Sequence, residues 1–329
     1  MQDIYFEANY GKLYEKMEDG KSEYYEFSNQ YGSITNVFIK REVPIRIDSE
    51  EQYYDITTPY GYGGPIIKKV VKGKETELVE SYKEDFKKYC LKNNIVSEFI
   101  RFHPVFGNEK PFKNIYDVEY LRKTVGTNLK DFEDPFQEEF SKSGRKDTRR
   151  ALRNGVSYEI NKSPKSIDDF LEIYYSTMER NNADDYYYFD KEYFKKCLEL
   201  FPESILTVKA QYEEKTIAMG FYFVYGNIIH SHLSGTLKEY LNLSPAYILK
   251  YAATEWGKEN DYHLIHHGGG TSNSENDNLL LFKRKFGQNT EFDFSIGRKI
   301  WNKEIYDQLC DAINVEKDSD FFPAYRLER

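Results

Sequence analysis

Cysteine is scarce in this chain and poorly placed for cross-linking. Only Cys90, Cys197 and Cys310 occur, an odd number scattered over 329 residues with no CxxC pair. That excludes a disulfide framework and a zinc knuckle, and it points to a reducing compartment, here expected to be the cytoplasm. Long apolar runs are missing as well. None approaches the roughly 20 residues that a membrane-spanning helix needs, so membrane contact is expected to be peripheral at most. The charged start, MQDIYFEANYGKLYEK, does not read as a signal peptide. A basic excess is also lacking: 46 Lys and Arg stand against 55 Asp and Glu, for a net charge of −9. Broad binding of nucleic acid or membranes needs basic faces. Nucleic acid is therefore not the expected partner, although a local basic site stays open. Coiled-coil heptads, low-complexity tracts and the P-loop spacing GxxxxGK[ST] are absent too.

What the chain does have is apolar and aromatic mass. Some 40% of residues are apolar, with 30 Tyr and 23 Phe, enough for one large domain or two ordinary ones. A coarse pattern occurs twice. In the first half, strands are expected over 33–41 and 53–57. The loop PYGYGGP follows, then a helix over 76–94 and a strand over 96–102. Leu78, Val79, Tyr82, Phe86 and Cys90 would share that helix's buried face. In the second half, 205–212 and 216–225 read as a hairpin and 228–234 as the next strand. A helix over 245–259 and a strand over 263–267 complete the set, with Ser244 at the N-cap and Pro245 at the first helical position. The residues hardly match between halves, so this is a topological echo of two α/β domains. Between them the expectation is one helix over 137–154, a second over 167–181 capped by Ser166, and a third capped by Asp190.

Several features could carry chemistry. Strands 228–234 and 263–267 should be neighbours that part at the sheet edge. The helix between them would then start at that edge with free backbone N–H groups, and Leu243, Ser244 and Ala246 surround this start. Such an end can hold phosphate or be a plain cap. His230 and His232 share a strand face by the period of two, whereas His266 and His267 point oppositely. Either a histidine base or packed strand histidines would fit; no metal site follows. Gly268, Gly269 and Gly270 permit positive φ and close approach. A short helix capped by Asp277 should bury Leu279, Phe282 and Phe286; Lys283, at the boundary of that face, either reaches inward or is a solvated lysine beside Arg284 and Lys285. Arg145, Lys146, Arg149, Arg150 and Arg153 crowd one helix end, which suits either the helix dipole or a polyanion. The loop NNADDYYYF, with Asp185 and Tyr187, could cover an acceptor or be mere surface.

Together these pieces resemble the FemAB-like branch of the GNAT acyltransferases, including the BioF2-like, cellulose-biosynthesis-type acetyltransferases. The resemblance is carried by SKSGRKDTRRALRNGV, by the passage 205–256 and by HHGGG followed by LLLFKRKFG, which cover most of 141–287. TPYGYGGP and RFHP extend it more loosely into the first half. It implies an α/β (α+β) fold of two tandem GNAT-like domains, each a mixed, mostly antiparallel twisted sheet flanked by helices. The expected division is 1–135, a degenerate copy, and 136–329, the acyltransferase domain, with the last 35 or so residues packing back on the first.

The implied activity is transfer of an acyl group, acetyl first, from acetyl-CoA or another acyl-CoA to an amine or hydroxyl of a glycan or nucleotide-sugar precursor of the cell envelope. An aminoacyl-tRNA donor, as in peptidoglycan-bridge relatives, is the alternative, and a non-catalytic nucleotide-sugar-binding module a third. Lys283 matches the lysine that those relatives use to stabilise charge on the reacting carbonyl. The expected base is His232 or His230. Ser234, Leu243, Ser244, Ala246 and Gly268 to Gly270 would hold the donor. Arg149, Arg150, Tyr60, Tyr62, His103, Asp185 and Tyr187 would hold the acceptor. Ordinary members carry Q/R-x-x-G-x-G/A where this chain has LNLSPA.

Overall fold

A computed structural model describes residues 3–47, 51–181, 188–317 and 319–327. Asp185 and Tyr187 lie outside the described residues. In chain order the first elements are α1 (Ala8–Lys12), β1 (Gly20–Asn29), β2 (Gly32–Glu42), β3 (Tyr54–Thr57), β4 (Ile66–Val70), α2 (Glu75–Lys92), β5 (Ile95–Arg101) and β6 (Asp117–Asn128). Then come α3 (Pro135–Glu139), α4 (Lys142–Arg153), β7 (Ser157–Lys162), α5 (Asp168–Arg180), α6 (Lys191–Leu200), β8 (Ile205–Tyr212), β9 (Lys215–Tyr225) and β10 (Ile228–Thr236). The last are α7 (Pro245–Glu259), β11 (Leu264–Gly268), α8 (Asn278–Arg284), β12 (Glu291–Ile300) and α9 (Lys303–Ala312).

Two compact units emerge. One comprises 5–121 with 293–327, the other Asp3 and Ile4 with 122–292. In the first unit β1, β2, β3, β5 and β12 pair in that order, with β4 also on β2. All these pairings are antiparallel except β3 with β5. In the second unit β11, β10, β9, β8 and β7 pair in that order, and β6 covers the outer edge of β11. Only β10 with β11 is parallel there. The echo is thus real: strand, strand, strand, helix, parallel strand describes β8–β9–β10–α7–β11 and, with β4 inserted before the helix, β1–β2–β3–α2–β5. Each unit is a mixed, mostly antiparallel sheet flanked by helices.

Each unit also takes its last strand from the other half of the sequence. β12 lies on β5, and β6 lies on β11. The sequence suggested a division at 135/136, whereas the compact units divide at 121/122 and 292/293. This strand exchange has no local signature.

The long helices follow their periodicity. Leu78, Val79, Tyr82, Phe86 and Cys90 are the buried residues of α2. α7 starts at Pro245 and buries Ile248, Leu249, Ala252 and Ala253 against the sheet, each large side chain contributing roughly 1.5–3 kcal/mol. The segment 137–154 is not one helix. It breaks at Phe140, whose backbone is extended, and Ser141 caps α4 by accepting from the Gly144 N–H at 3.1 Å. The break seats Phe140 against Phe136 and Phe286. Ser166 stands one residue outside the cap of α5, which is Ile167, and accepts from the Asp168 N–H instead. In α8 the buried residue is Leu280, while Leu279 is exposed. β1, β4, β6, β7 and β12 were not anticipated; β1, β4 and β7 are mostly exposed or half-buried, and β6 and β12 hold only short buried runs, 124–127 and 294–297, beside polar residues. Among the described residues no helix is long and apolar enough to cross a membrane.

Candidate active site

β10 and β11 run in register for three steps, ending at His230 opposite His266. Then both strands bulge. β10 shifts against β9 between Ser231 and Leu233, and β11 shifts against β6 between His266 and Gly268. A bulge adds twist and re-aims side chains, so two of them at one level part the strands at their carboxyl ends. Beyond that level β10 continues to Thr236 on β9 alone.

The base of this opening is bridged by a chain of hydrogen bonds on one sheet face. Thr127 of β6 donates its hydroxyl hydrogen to the Phe286 carbonyl at 2.6 Å. The same oxygen lies 2.8 Å from His267 Nε2. A hydroxyl has one hydrogen, and Thr127 has spent it, so His267 must donate through Nε2–H. Its Nδ1 is then an acceptor, 2.9 Å from Ser231 Oγ and 3.3 Å from Lys250 Nζ. Lys250, on α7, also donates to Ser231 Oγ at 3.1 Å. Every hydrogen bond in the chain therefore points from Lys250 toward the Phe286 carbonyl.

Lys283 completes the group. It projects from α8 and donates to the Gly269 carbonyl at 2.6 Å. Both lysines are half-buried. Burial, and next the charge of Lys283, brings Lys250 down to about 7. Burial and Arg122, opposed by Asp277, bring Lys283 to about 8. Burial, then Lys250 and Lys283, holds His267 well below its usual range. Near neutral pH, Lys283 is thus the more fully charged lysine and Lys250 the more readily neutral one, the kind of split that separates acid and base roles.

The glycine loop is fastened from beneath. Asp277 accepts from the N–H and hydroxyl of Thr271, from the N–H and hydroxyl of Ser272, and from the Leu280 N–H. These bonds hold its carboxyl below the usual carboxylate range. Arg122 donates to the Gly270 carbonyl at 3.0 Å. A side chain at Gly270 would collide with Asp277, its Cβ only 2.4 Å from Oδ1. Gly268 takes the positive φ of 75° that lets the chain leave the strand. Gly269 and Gly270, expected to help hold the donor, engage the Lys283 and Arg122 cations through their carbonyls.

The histidines favoured from the sequence lie on the opposite sheet face. His230 donates from Nε2 to Asp3 at 2.8 Å and packs edge-on to His266. His232 Nε2 lies 2.7 Å from the Tyr193 hydroxyl, among Phe189, Phe221 and Phe223. Burial, with His230 second, lowers His232 to about 3. A base needs a pKa near the working pH, so His232 does not suit that role.

Of the expected donor residues, Ser244 opens α7 in a left-handed conformation with φ 56°. Its hydroxyl does not cap the helix; it accepts from Arg150 at 3.1 Å. Arg150 also pairs with Asp147. Leu243 and Ala246 are half-buried beside it, and Ser234 is exposed on β10. Arg149 reaches Gln137 and lies over the Phe136 ring. It lines a hollow of about 550 Å³ with Asp134, Tyr251, Glu255 and Lys258, which includes none of the opening's residues. Tyr60, Tyr62 and His103 belong to the first unit. Tyr60 stacks on Tyr14, while Tyr62 and His103 pack together and against Tyr5. Ser231, Thr127 and Lys250 had no place in the sequence reading. The available signal was Lys250 itself, a cation inside the apolar run PAYILKYAA.

Residues 139–284 match the family model described as an acetyltransferase (GNAT) domain. The UDP-N-acetylmuramoylpentapeptide-lysine N(6)-alanyltransferase of Weissella viridescens is 25% identical over 164 residues, covering 49% of this chain and 47% of that protein. The match thus spans about half the length of that curated relative. The crystal structure of FemX superposes with a TM-score of 0.71 over 93% of this chain and 94% of that one, at 12% identity. The structure of L-PGS from Bacillus licheniformis gives 0.55 over 95% and 98%, at 13% identity. At such identities these two establish the shared fold. Residues 139–284 are thus similar to GNAT domains, and the chain as a whole is FemAB-like in fold.

Proposed function

We propose that the protein is an acyltransferase that moves an activated acyl group, an aminoacyl group first, onto an amine of a cell-envelope precursor. The observation that carries this is the parted β10–β11 edge with Lys283 fixed beside it on the Gly269 carbonyl. The acceptor's nitrogen attacks the acyl carbonyl, and negative charge gathers on that oxygen. The Lys283 ammonium offers it preorganised charge in a partly desolvated place, where such a donor counts for more than in water. Arg150, with Ser244 at the start of α7, is positioned to take a donor phosphate. The aminoacyl reading is supported by the alanyltransferase relative. An acyl-CoA donor comes second, supported by the GNAT domain model. Aminoacyl-tRNA is the matching donor for the first, with the arginines of α4 as its local basic site.

Radiolabelled alanyl-tRNA and acetyl-CoA, each offered with UDP-N-acetylmuramoylpentapeptide, test this. Label should pass from one of them to the peptide amine. Lys283→Met should lower kcat/KM by about 10²–10³-fold with little change in donor binding. If the wild type transfers nothing from either donor yet binds the nucleotide precursor, the protein is a binding module instead.

A further inference from the structure

The transfer needs a group to take the proton that the attacking nucleophile loses, and the histidines on the far face do not supply one. The hydrogen-bond chain at the opening shows what can. It ends on the Phe286 carbonyl, which accepts hydrogen bonds but takes up no proton at neutral pH. With Lys250 as the first donor its directions run Lys250 to Ser231, Ser231 to His267 Nδ1, His267 Nε2–H to Thr127, Thr127 to Phe286. Ser231 and His267 cannot relay a proton onward along it. A neutral Lys250 satisfies the chain with one N–H, donated to Ser231 Oγ at 3.1 Å, while His267 Nδ1, 3.3 Å from the amine, accepts from Ser231. Its one lone pair then remains, and the side chain keeps part of its surface open.

We infer that Lys250 is the general base of the transfer and that Ser231, His267 and Thr127 are positioning residues that aim its amine into the opening. The inference rests on the acyl-transfer reading. As the acceptor's nitrogen forms its bond to the acyl carbon, its proton passes to the Lys250 amine, leaving an ammonium. Collapse of the tetrahedral intermediate breaks the bond to the donor's oxygen or sulfur. That leaving atom keeps the bonding pair and takes the proton back from Lys250, so the amine is regenerated. The groups facing Lys250 are His267 from β11, Lys283 from α8 and the Tyr222 ring from β9, whose centroid is 5.9 Å away. None of them is a carboxylate that would hold the ammonium form. The lowered pKa of Lys250 agrees with that surrounding.

The test is the pH profile of kcat/KM with whichever donor proves active. The wild type should rise through a limb centred near 7, the pH at which Lys250 loses its proton. Lys250→Met should lose that limb and fall about 10²–10⁴-fold. Lys250→Arg, which keeps a cation that cannot deprotonate, should be equally slow while staying folded. Ethylamine should restore part of the rate to Lys250→Ala. A Lys250→Met enzyme that keeps the rate and the limb overturns the base role but leaves the acyl-transfer reading standing. A wild type inert with both donors sinks that reading and this role with it. Trace labelling with acetic anhydride, read by mass spectrometry, needs no turnover. Lys250 should become reactive near pH 7, and reactivity only where surface lysines react overturns the inference.

Discussion

Thr127 has a single hydroxyl hydrogen, and its destination decides the state of a histidine on the neighbouring strand. Because the hydrogen goes to the Phe286 carbonyl, His267 must carry its own on Nε2. Thr127→Val keeps the shape and removes both bonds. It should destabilise the protein by about 1–3 kcal/mol, the usual cost of leaving buried polar groups unpaired. The His267 ring should then lose its fixed tautomer. Urea unfolding measures the first effect and ¹⁵N shifts of the imidazole the second; an unchanged pair of readings would refute this account. The sequence could show that His266 and His267 face opposite ways, since strand alternation is local. It could not rank them against His230 and His232. What separates them is the company each face keeps: Asp3 and a ring of aromatics on one, two lysines on the other.

At the scale of elements, α8 is only seven residues long, too short to be stable from its own hydrogen bonds. Its placement depends on Asp277, which ties the helix start to Thr271 and Ser272. Asp277→Ala should cost about 0.5–2 kcal/mol, as losing an N-cap does. It should also loosen Lys283, so turnover should fall by more than the unfolded fraction explains. Amide exchange at Thr271, Ser272 and Leu280 should quicken in the same variant, and unchanged exchange would show that the clamp is not what orders the loop. The cap itself was legible, because an acidic residue before an apolar run is a strong start signal. The buried face was misread by one position. In so short a helix, the neighbour that happens to be near, not periodicity, selects Leu280 over Leu279. The break at Phe140 has the same origin: a helix-compatible sequence is interrupted because three phenylalanines meet there.

For the whole molecule the exchange of last strands matters most. Cutting the chain between 135 and 136 puts β6 on one fragment and β11 on the other, and likewise separates β5 from β12. Each fragment would expose a bare strand edge and lose one wall of its core. Neither 1–135 nor 136–329 should therefore unfold cooperatively alone, whereas the two expressed together should recover a common transition. Calorimetry decides it, and a fragment with its own sharp transition would disprove the dependence. The downstream fragment would also lack Thr127, so His267 should lose its Nε2 partner even if that piece folded.

The sequence by itself determined the elements and their order within each half. Hydrophobic period, turn residues and caps act over a few positions, and they placed α2, α7 and the β8–β9 hairpin closely. It also marked Lys283 and the glycines as a pair worth watching. Only the tertiary structure decided which strands close each sheet, which histidine face meets the lysines, and which of the two lysines burial lowers further, Lys250. Those outcomes depend on desolvation and on partners more than a hundred residues apart, as Thr127 is from His267, and no local pattern encodes them.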